Sequence, residues 1–546
     1  MHYTSIENIH KVIDPLFLDD LKAEFEEIKS VTVTKTREAK LRAFQNKLAS
    51  LKFLDPACGS GNFLTETYLS LRRLENKAIS ELHQGQIVFD LGNPIQVSIS
   101  QFYGIEINDF AVTVAKTALW IAESQMMKET EDVVHMSLDF LPLKTNACIV
   151  EGNALRMDWE SVVPKAELNY IMGNPPFVGA SRMTKTQKDE AVAVFGKGKR
   201  VNSIDYVGAW YHKVAALMHG TAGRAAFVST NSITQGEQVA PLWEKLLSEY
   251  NVHIDFAYRT FKWDSEAKEK AAVHCVIIGF STAPTMRPKL IFTGASVPQI
   301  AQNINPYLVD APNVVVTSRG TTLCDVPRMT KGNQPSDGGN LILSQEERDA
   351  LIAKDGSIAP CVRRYVGSKD FINNDEVRYC LWLKGVSPAL YRKNAEVMRR
   401  LEAVREMRLA SSAAPTRALA EKPYLFFSTP QTDSNYLCIP EVSSERRRYI
   451  PIGFMDGSVI ASNKLLIVPD ATLYHFGILT SNVHMAWMRT VCGRMKSDYQ
   501  YSGATVYNTF PWPTPTDAQK AKIEQTAQAI LDARALYPDC SLADLY

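Results

Sequence analysis

The sequence predicts an α/β fold, a mostly parallel seven-stranded sheet with helices on its faces, followed by a C-terminal α+β region. Three observations predict it. Short β-rich runs recur through residues 1–325, helical patterns lie between several of them, and the alternation stops near residue 325. Strands that alternate with helices imply βαβ units and therefore a parallel sheet. The chain has 546 residues, and single cores rarely exceed ~250–300 residues, so more than one domain is expected.

The β-rich runs are Lys52–Leu54, Phe102–Ile107, Ala147–Val150, Asn169–Met172, Ala225–Ser229, Val252–Ala257 and Val273–Phe280. Leu64, Tyr68, Leu71 and Ala78 share one helical face, as do Val112, Ala115, Leu119 and Ala122. The polar stretch Gly332–Gly339 reads as a linker or loop. Beyond it the pattern predicts a basic helix over Pro388–Ser411, ending at Ala410–Pro415. A stiff stop follows at Pro511–Pro515, and then a final amphipathic helix over 517–536. The expected domains are 1–325, 326–515 and a C-terminal helix within 516–546.

Composition excludes several classes. Hydrophobic residues make up 45% and charged residues 22%, which is globular rather than disordered. No apolar run approaches the ~18 residues of a membrane span, and Met1-His2-Tyr3-Thr4 lacks the pattern of a secretory signal. The nine cysteines are scattered, with no spacing typical of a zinc site, and fit buried thiols in a reducing cytoplasm. No metal is expected. The net charge of +1 neither supports nor excludes a nucleic-acid partner.

Ligands of a parallel sheet bind outside the carboxyl ends of its strands. The first run ends in Asp55-Pro56-Ala57-Cys58-Gly59-Ser60-Gly61-Asn62-Phe63, an acid followed by glycines and a helix. The second ends in Glu106-Ile107, where a carboxylate can accept both hydroxyl protons of a ribose. The third ends in Asn153-Ala154, where Asn153 could bond an adenine edge. Together these outline a nucleoside site, although a glycine-rich turn with incidental acids would produce Gly59-x-Gly61 by itself. No G-x-G-x-x-G or Walker loop occurs, which disfavours NAD and ATP. Glu106 follows Asp55 by far more than the roughly 20 residues of a tight βαβ unit. The segment Gln84–Ser100 reads as the insertion responsible.

The fourth run ends in Asn174-Pro175-Pro176-Phe177. Prolines fix φ and remove donors, so this loop presents carbonyl groups. Asn174 adds a side-chain carbonyl and Phe177 a flat apolar face. Two acceptors and a stacking ring suit a planar substrate with an amino group. Asn231, near a later strand end, either lines the same pocket or is an ordinary loop residue.

With these motifs the chain resembles the class I S-adenosylmethionine-dependent DNA methyltransferases that modify the exocyclic amine of adenine. The order of its motifs is similar to their γ arrangement, which also places a cofactor-contacting Tyr-Thr segment near the start, matched here by Tyr3-Thr4. More specifically it resembles the MmeI-like, type IIL restriction–modification proteins. The segments that carry this are Ser443–Arg447, Gly493–Tyr499 and Tyr507–Pro513. The resemblance spans essentially the whole chain. It implies a Rossmann-like methyltransferase domain and a DNA target-recognition domain.

The resemblance assigns S-adenosylmethionine to Tyr3, Thr4, Asp55, Pro56, Ala57, Cys58, Gly59, Gly61, Asn62, Phe63, Glu106, Ile107, Asn153 and Ala154. It assigns catalysis to Asn174, Pro175, Pro176 and Phe177. Methyl would pass directly to N6 of a flipped adenine, so Cys58 is read as a packed thiol and not a nucleophile. Double-stranded DNA is the implied partner, with Arg363, Arg364, Lys369, Arg446, Arg447, Arg448, Arg494 and Lys496 as candidate contacts. The bifunctional relatives carry a nuclease ahead of the methyltransferase, and this chain begins almost at the Tyr-Thr segment. The expectation is a split system with a separate nuclease subunit, a stand-alone modification enzyme or a shortened chain, acting in the cytoplasm. Asp264-Ser265-Glu266-Ala267-Lys268 superficially matches a nuclease motif and reads better as solvated charges. The alternatives are a methyltransferase acting on RNA or protein glutamine, and a recognition subunit of a split restriction complex.

Overall fold

The computed structural model describes residues 4–83, 94–135, 138, 146–196, 201–263, 273–294 and 297–546. They divide into two compact units between Val315 and Val316. The first unit holds a nine-stranded sheet of β1 (Phe53–Asp55), β2 (Phe102–Glu106), β3 (Cys148–Glu151), β4 (Tyr170–Gly173), β5 (Arg224–Thr230), β6 (His253–Trp263), β7 (Val273–Ser281), β8 (Lys289–Phe292) and β9 (Gln299–Ala301). Their spatial order is β3-β2-β1-β4-β5-β7-β6-β8-β9. Strands β1 to β5 are parallel, and β7 runs antiparallel to both β5 and β6. The seven expected strands are therefore all present. β8 and β9, which were not among the β-rich runs read from the sequence, extend the sheet past them.

Strand order reverses between β1 and β4, and such a switch point opens a crevice at the carboxyl edge. Aromatic stacking fixes the register there. Phe53 lies opposite Phe102 and Tyr170, with ring centroids 5.2 Å and 5.5 Å apart. Phe17 reaches Phe53 at 5.1 Å from a π turn over Asp14–Leu18. That turn joins α1 (Ile6–Ile13) to α2 (Asp19–Lys29), and α3 (Thr34–Ser50) follows. All three helices bury apolar residues against this part of the core.

Helices α4 (Asn62–His83) and α5 (Asp109–Val134) bury the two faces read from the sequence. Between them lies a charge pair with almost no exposure, Arg72 and Glu75. Arg72 also donates to Thr130, and Glu75 accepts the backbone N–H groups of Gln96 and Val97. The Glu75 carboxylate thus ties the last part of the Gln84–Ser100 segment to α4. Residues 84–93 of that segment lie outside the described residues.

The second unit is α+β. One four-stranded sheet has the order Thr330–Lys331, Leu465–Pro469, Tyr436–Pro440, Gly453–Met455. Another has the order Ile342–Leu343, Arg378–Leu381, Val362–Val366, Ile460–Ala461. A three-stranded sheet joins Val442–Ser443, Asp498–Gln500 and Gly493–Met495. The stretch Gly332–Gly339 is a loop packed inside this unit: Asn333 is fully buried and donates to Gln431 and to the Ala461 carbonyl. The expected helix over Pro388–Ser411 is instead broken. Pro388–Tyr391 ends, and Asn394 caps a new helix, Ala395–Leu409, by accepting from the Val397 N–H. The expected amphipathic helix is Asp517–Ala535, which packs at Ile523 and Ala527 against Gly477, and a short helix, Leu542–Leu545, follows it. Among the described residues no helix is long and apolar enough to cross a membrane.

Replacing Arg72 with Met should leave Glu75 as a buried unpaired charge. Breaking such a pair costs about 3–5 kcal/mol. The first unit should unfold at clearly lower denaturant in Arg72→Met, read by tryptophan fluorescence; a parent-like midpoint would mean that the buried pair does not hold this part of the core together.

Candidate active site and nucleic-acid interface

The loop after β1 is shaped by what lies beneath and beside it. Asp55 is buried and accepts the Ala57 N–H at 3.0 Å. Burial pushes its carboxyl up to about 8, opposed by the Ala57 N–H and helped by the Glu106 charge. A Cβ on Gly173 would stand 2.4 Å from Asp55 Oδ1, so Asp55 fits only because β4 ends in glycine. This places the β1 acid directly beside the residue that precedes Asn174. Cys58 is buried, its thiol pushed well up by burial, and Sγ fills the space that a Cβ on Gly104 would need. A packing role explains it. Gly61 has a positive φ of 81° and approaches Ala115 of α5 so closely that a Cβ would clash at 2.9 Å. Phe63 is buried in the first turn of α4, where Asn62 accepts from the Ser60 hydroxyl.

Gly59 also has a positive φ, 54°, but its Cβ position faces open space. Its N–H donates to Glu106 Oε2 at 2.9 Å, and the Asn108 N–H donates to Oε1 at 3.0 Å. Glu106 is thereby fixed at the mouth of the Gly59 loop. Beside it Ile107 is 66% exposed and Phe110 is 67% exposed, two apolar side chains at the crevice edge. Phe110 was not singled out in the sequence because it resembles an ordinary first-turn helix residue.

The turn after β3 carries Asn153, whose Oδ1 accepts the Leu155 N–H and whose Nδ2 donates to Glu190 at 2.9 Å. The buried Ala154 offers its carbonyl to Trp159 Nε1. Glu190 is a hub the sequence did not reveal. It also accepts from Arg156 Nε at 2.8 Å and from the Tyr206 hydroxyl. The Tyr206 N–H donates to the Val178 carbonyl, and its ring meets Trp210 edge-on at 5.2 Å. Trp210 Nε1 in turn donates to the Pro56 carbonyl. A short chain of contacts thus connects the loops after β1, β3 and β4. Nothing in a sequence marks Glu190 as buried, because a lone carboxylate on a helix is usually solvated.

At the end of β4, Asn174 is half-buried and its Nδ2 donates to Thr4 Oγ1 at 3.3 Å. Pro175 is buried, Pro176 is exposed, and Phe177 is half-buried and backed by the core. Thr4, read as a cofactor contact, thus sits against Asn174, while Tyr3 lies outside the described residues. Asn231 is 9% exposed at the end of β5, and its Nδ2 has no partner among the described residues. The nuclease-like stretch Asp264–Lys268 also lies outside the described residues.

The structure sorts the basic candidates of the second unit. Arg363 and Arg364 are on the strand Val362–Val366, and the exposed Lys369 is on the following helix. Arg446, Arg447 and Arg448 follow the strand Val442–Ser443; Arg494 and Lys496 belong to the neighbouring hairpin. The Glu445 N–H reaches Asp498, so this loop and the hairpin turn share one end of the small sheet. Arg494 lies over the Tyr499 ring at 4.4 Å and donates to the Ser497 carbonyl, bonds that shape the hairpin. Lys496 is exposed at its tip with φ 60°.

The parallel switch-point sheet, its glycine loop and acidic second strand define a class I S-adenosylmethionine-dependent methyltransferase fold. The MmeI DNA-methyltransferase domain family matches residues 31–293, the MmeI target recognition domain matches 310–514, and the MmeI C-terminal domain matches 515–546. The solved DNA complex of the type IIL restriction–modification enzyme MmeI is 46% identical, with a TM-score of 0.90, over 100% of this chain and 72% of that one. DNA methyltransferase A of Bacillus subtilis is 40% identical over 100% of this chain and 61% of its own length. The chain belongs to the MmeI-like type IIL restriction–modification family. It spans about three fifths of the length of that Bacillus relative.

Two expectations follow. Asp55 has its ordinary value of 3.8 when unfolded and about 8 when folded, so folding takes up a proton between those limits. Stability therefore falls as pH rises through this window. Asp55→Asn should flatten that decline, measured by thermal unfolding across the window; a parent-like slope would mean Asp55 is ionised in the fold. At the hairpin, Lys496→Ala should lower the slope of log DNA affinity against log salt by about 0.9 if it holds one phosphate. An unchanged slope and affinity would place the hairpin tip away from DNA.

Proposed function

We propose that this chain transfers a methyl group from S-adenosylmethionine to the N6 amine of an adenine flipped out of double-stranded DNA, at sites chosen by the second unit. The observation that carries this reading is the placement of Asn174–Phe177 against the β1 loop through the Asp55–Gly173 approach. Cytoplasmic action within a restriction–modification system is the setting proposed for it, in keeping with the family relationship.

The residues of the crevice fit the cofactor. Open space over Gly59 lets a ligand approach the backbone, and the fixed Glu106 carboxylate suits a ribose diol. Ile107 and Phe110 offer apolar faces to a planar base, and Asn153 stands at the next strand end. The bound cofactor would supply a methyl on a sulfonium, already activated for transfer.

The rest falls to the chain. The adenine amine is a weak nucleophile because its lone pair is conjugated with the ring. Asn174 Nδ2 donates to Thr4 Oγ1, and its Oδ1 is left to serve as an acceptor for the substrate in this mechanism. Oδ1 and the Pro175 carbonyl accept hydrogen bonds from the two amino N–H groups and favour a pyramidal nitrogen with its lone pair out of the ring plane; once that lone pair bonds the methyl, the nitrogen sheds one proton to solvent. Phe177 stacks on the extruded base. Catalysis is then positioning plus preorganised acceptors, with no covalent intermediate.

Asn174→Ala should lower single-turnover methylation by ~10²–10³ with little change in DNA affinity, because its bonds strengthen in the transition state. Phe177→Ala should reduce base capture, seen with 2-aminopurine at the target, since stacking contributes ~1–3 kcal/mol per base. Phe177→Tyr should remain active. Near-parent transfer by Asn174→Ala would overturn the mechanism, and adenine methylation of RNA in preference to duplex DNA would overturn the substrate.

A further inference from the structure

A cavity of about 610 Å³ opens between the segment after Phe177 and the segment after β5. Its lining begins two residues beyond Phe177, at Gly179, and includes Ser181, Lys188, Asn202, Asp205 and Ser232. It therefore lies on the β4–β5 side of the carboxyl edge, apart from the Gly59 loop and the Glu106 carboxylate.

Its wall is built rigidly around Asp205, which is 7% exposed. Asp205 Oδ1 accepts the Ala180 N–H at 2.9 Å and Gln238 Nε2 at 3.0 Å; Oδ2 accepts the Thr230 and Ser232 hydroxyls. Gln238 Oε1 accepts the Asp205 N–H in return. Four donors surround this carboxylate, so its charge is spent on the wall. Lys188, half-buried on the helix Lys185–Phe195, is the only cation of the lining among the described residues. Among those residues no aromatic or large aliphatic side chain lines the cavity, so they present no stacking face for a base. The cavity offers hydroxyls, an amide and an ammonium, which suit a sugar and a phosphodiester.

We infer that this cavity takes the sugar–phosphate backbone beside the extruded nucleotide, with Lys188 on a phosphate. The inference rests on the reading of this chain as a base-flipping DNA methyltransferase. A base rotated out of the helix drags its own backbone with it, and the adjoining phosphate must be held where Phe177 can meet the base. Asp205 serves as a positioning residue, since it fastens the Ala180 backbone to the segment after β5.

The test is a cycle between protein and DNA. Duplexes carry one neutral methylphosphonate at each linkage flanking the target adenine in turn. Parent affinity should fall about two- to fivefold at one linkage. Lys188→Ala should lose as much on ordinary DNA, lose nothing further at that linkage, and show a salt slope lower by about 0.9. Its cofactor affinity should equal the parent's, and Lys188→Arg should restore the linkage effect. The effect should persist when the target nucleotide is abasic. Full parent sensitivity at every linkage in Lys188→Ala, parent insensitivity at all of them, or loss of the effect with the abasic target would overturn the inference. Parent protein that binds the duplex but leaves its adenine unmethylated would overturn the functional reading instead.

Discussion

The close approach of Asp55 to Gly173 sets the geometry on which the rest of the site depends. Neighbouring parallel strands bring the two residues together, and the absence of a Cβ on Gly173 gives the carboxyl its place. The β1 loop and the Asn174 loop are thereby registered against each other from strands whose own register is locked by Phe53, Phe102 and Tyr170. Burying the carboxyl costs free energy, which the Ala57 N–H partly offsets and which protonation relieves further. An acid at a strand end would ordinarily be taken for a ligand contact; here its first role is spatial.

Around that joint, side chains from distant segments orient the chemical groups. Thr4 accepts a hydrogen bond from the Asn174 amide, although 170 positions separate the two. Glu190, Tyr206 and Trp210 link three strand-end loops through bonds that each use a different donor. Asp205 does the same for the segments after β4 and β5. These groups keep the loops in place, as preorganised catalysis requires.

The strand ends were legible because parallel strands read as short apolar runs and their terminal residues are chemically distinctive. Asn174–Phe177 stood out for that reason. Glu190, Asp205 and the bond between Thr4 and Asn174 were not legible, since a polar residue acquires such a role only through partners far away in the chain. The broken helix at Arg392–Asn394 shows the same limit at short range, where a cap competes with a continuous periodic pattern. Basic residues were the least readable. Arg408 is fully buried and donates to the carbonyls of Ser336, Leu419, Lys422, Pro335 and Leu425, and Arg72 is buried against Glu75. Charge in the sequence therefore says little about DNA until burial has separated structural arginines from exposed ones such as Arg364 and Arg446.

The central claim is that one contact between β1 and β4 holds the cofactor loop and the transfer loop in register. Gly173→Ala tests it most directly, because it adds a single methyl where Asp55 stands. Cofactor affinity by calorimetry and single-turnover methylation are measured on the same preparation, with circular dichroism to show that the fold is kept. The account predicts that both fall together in a folded protein. Parent-like cofactor affinity and parent-like turnover in Gly173→Ala would contradict it.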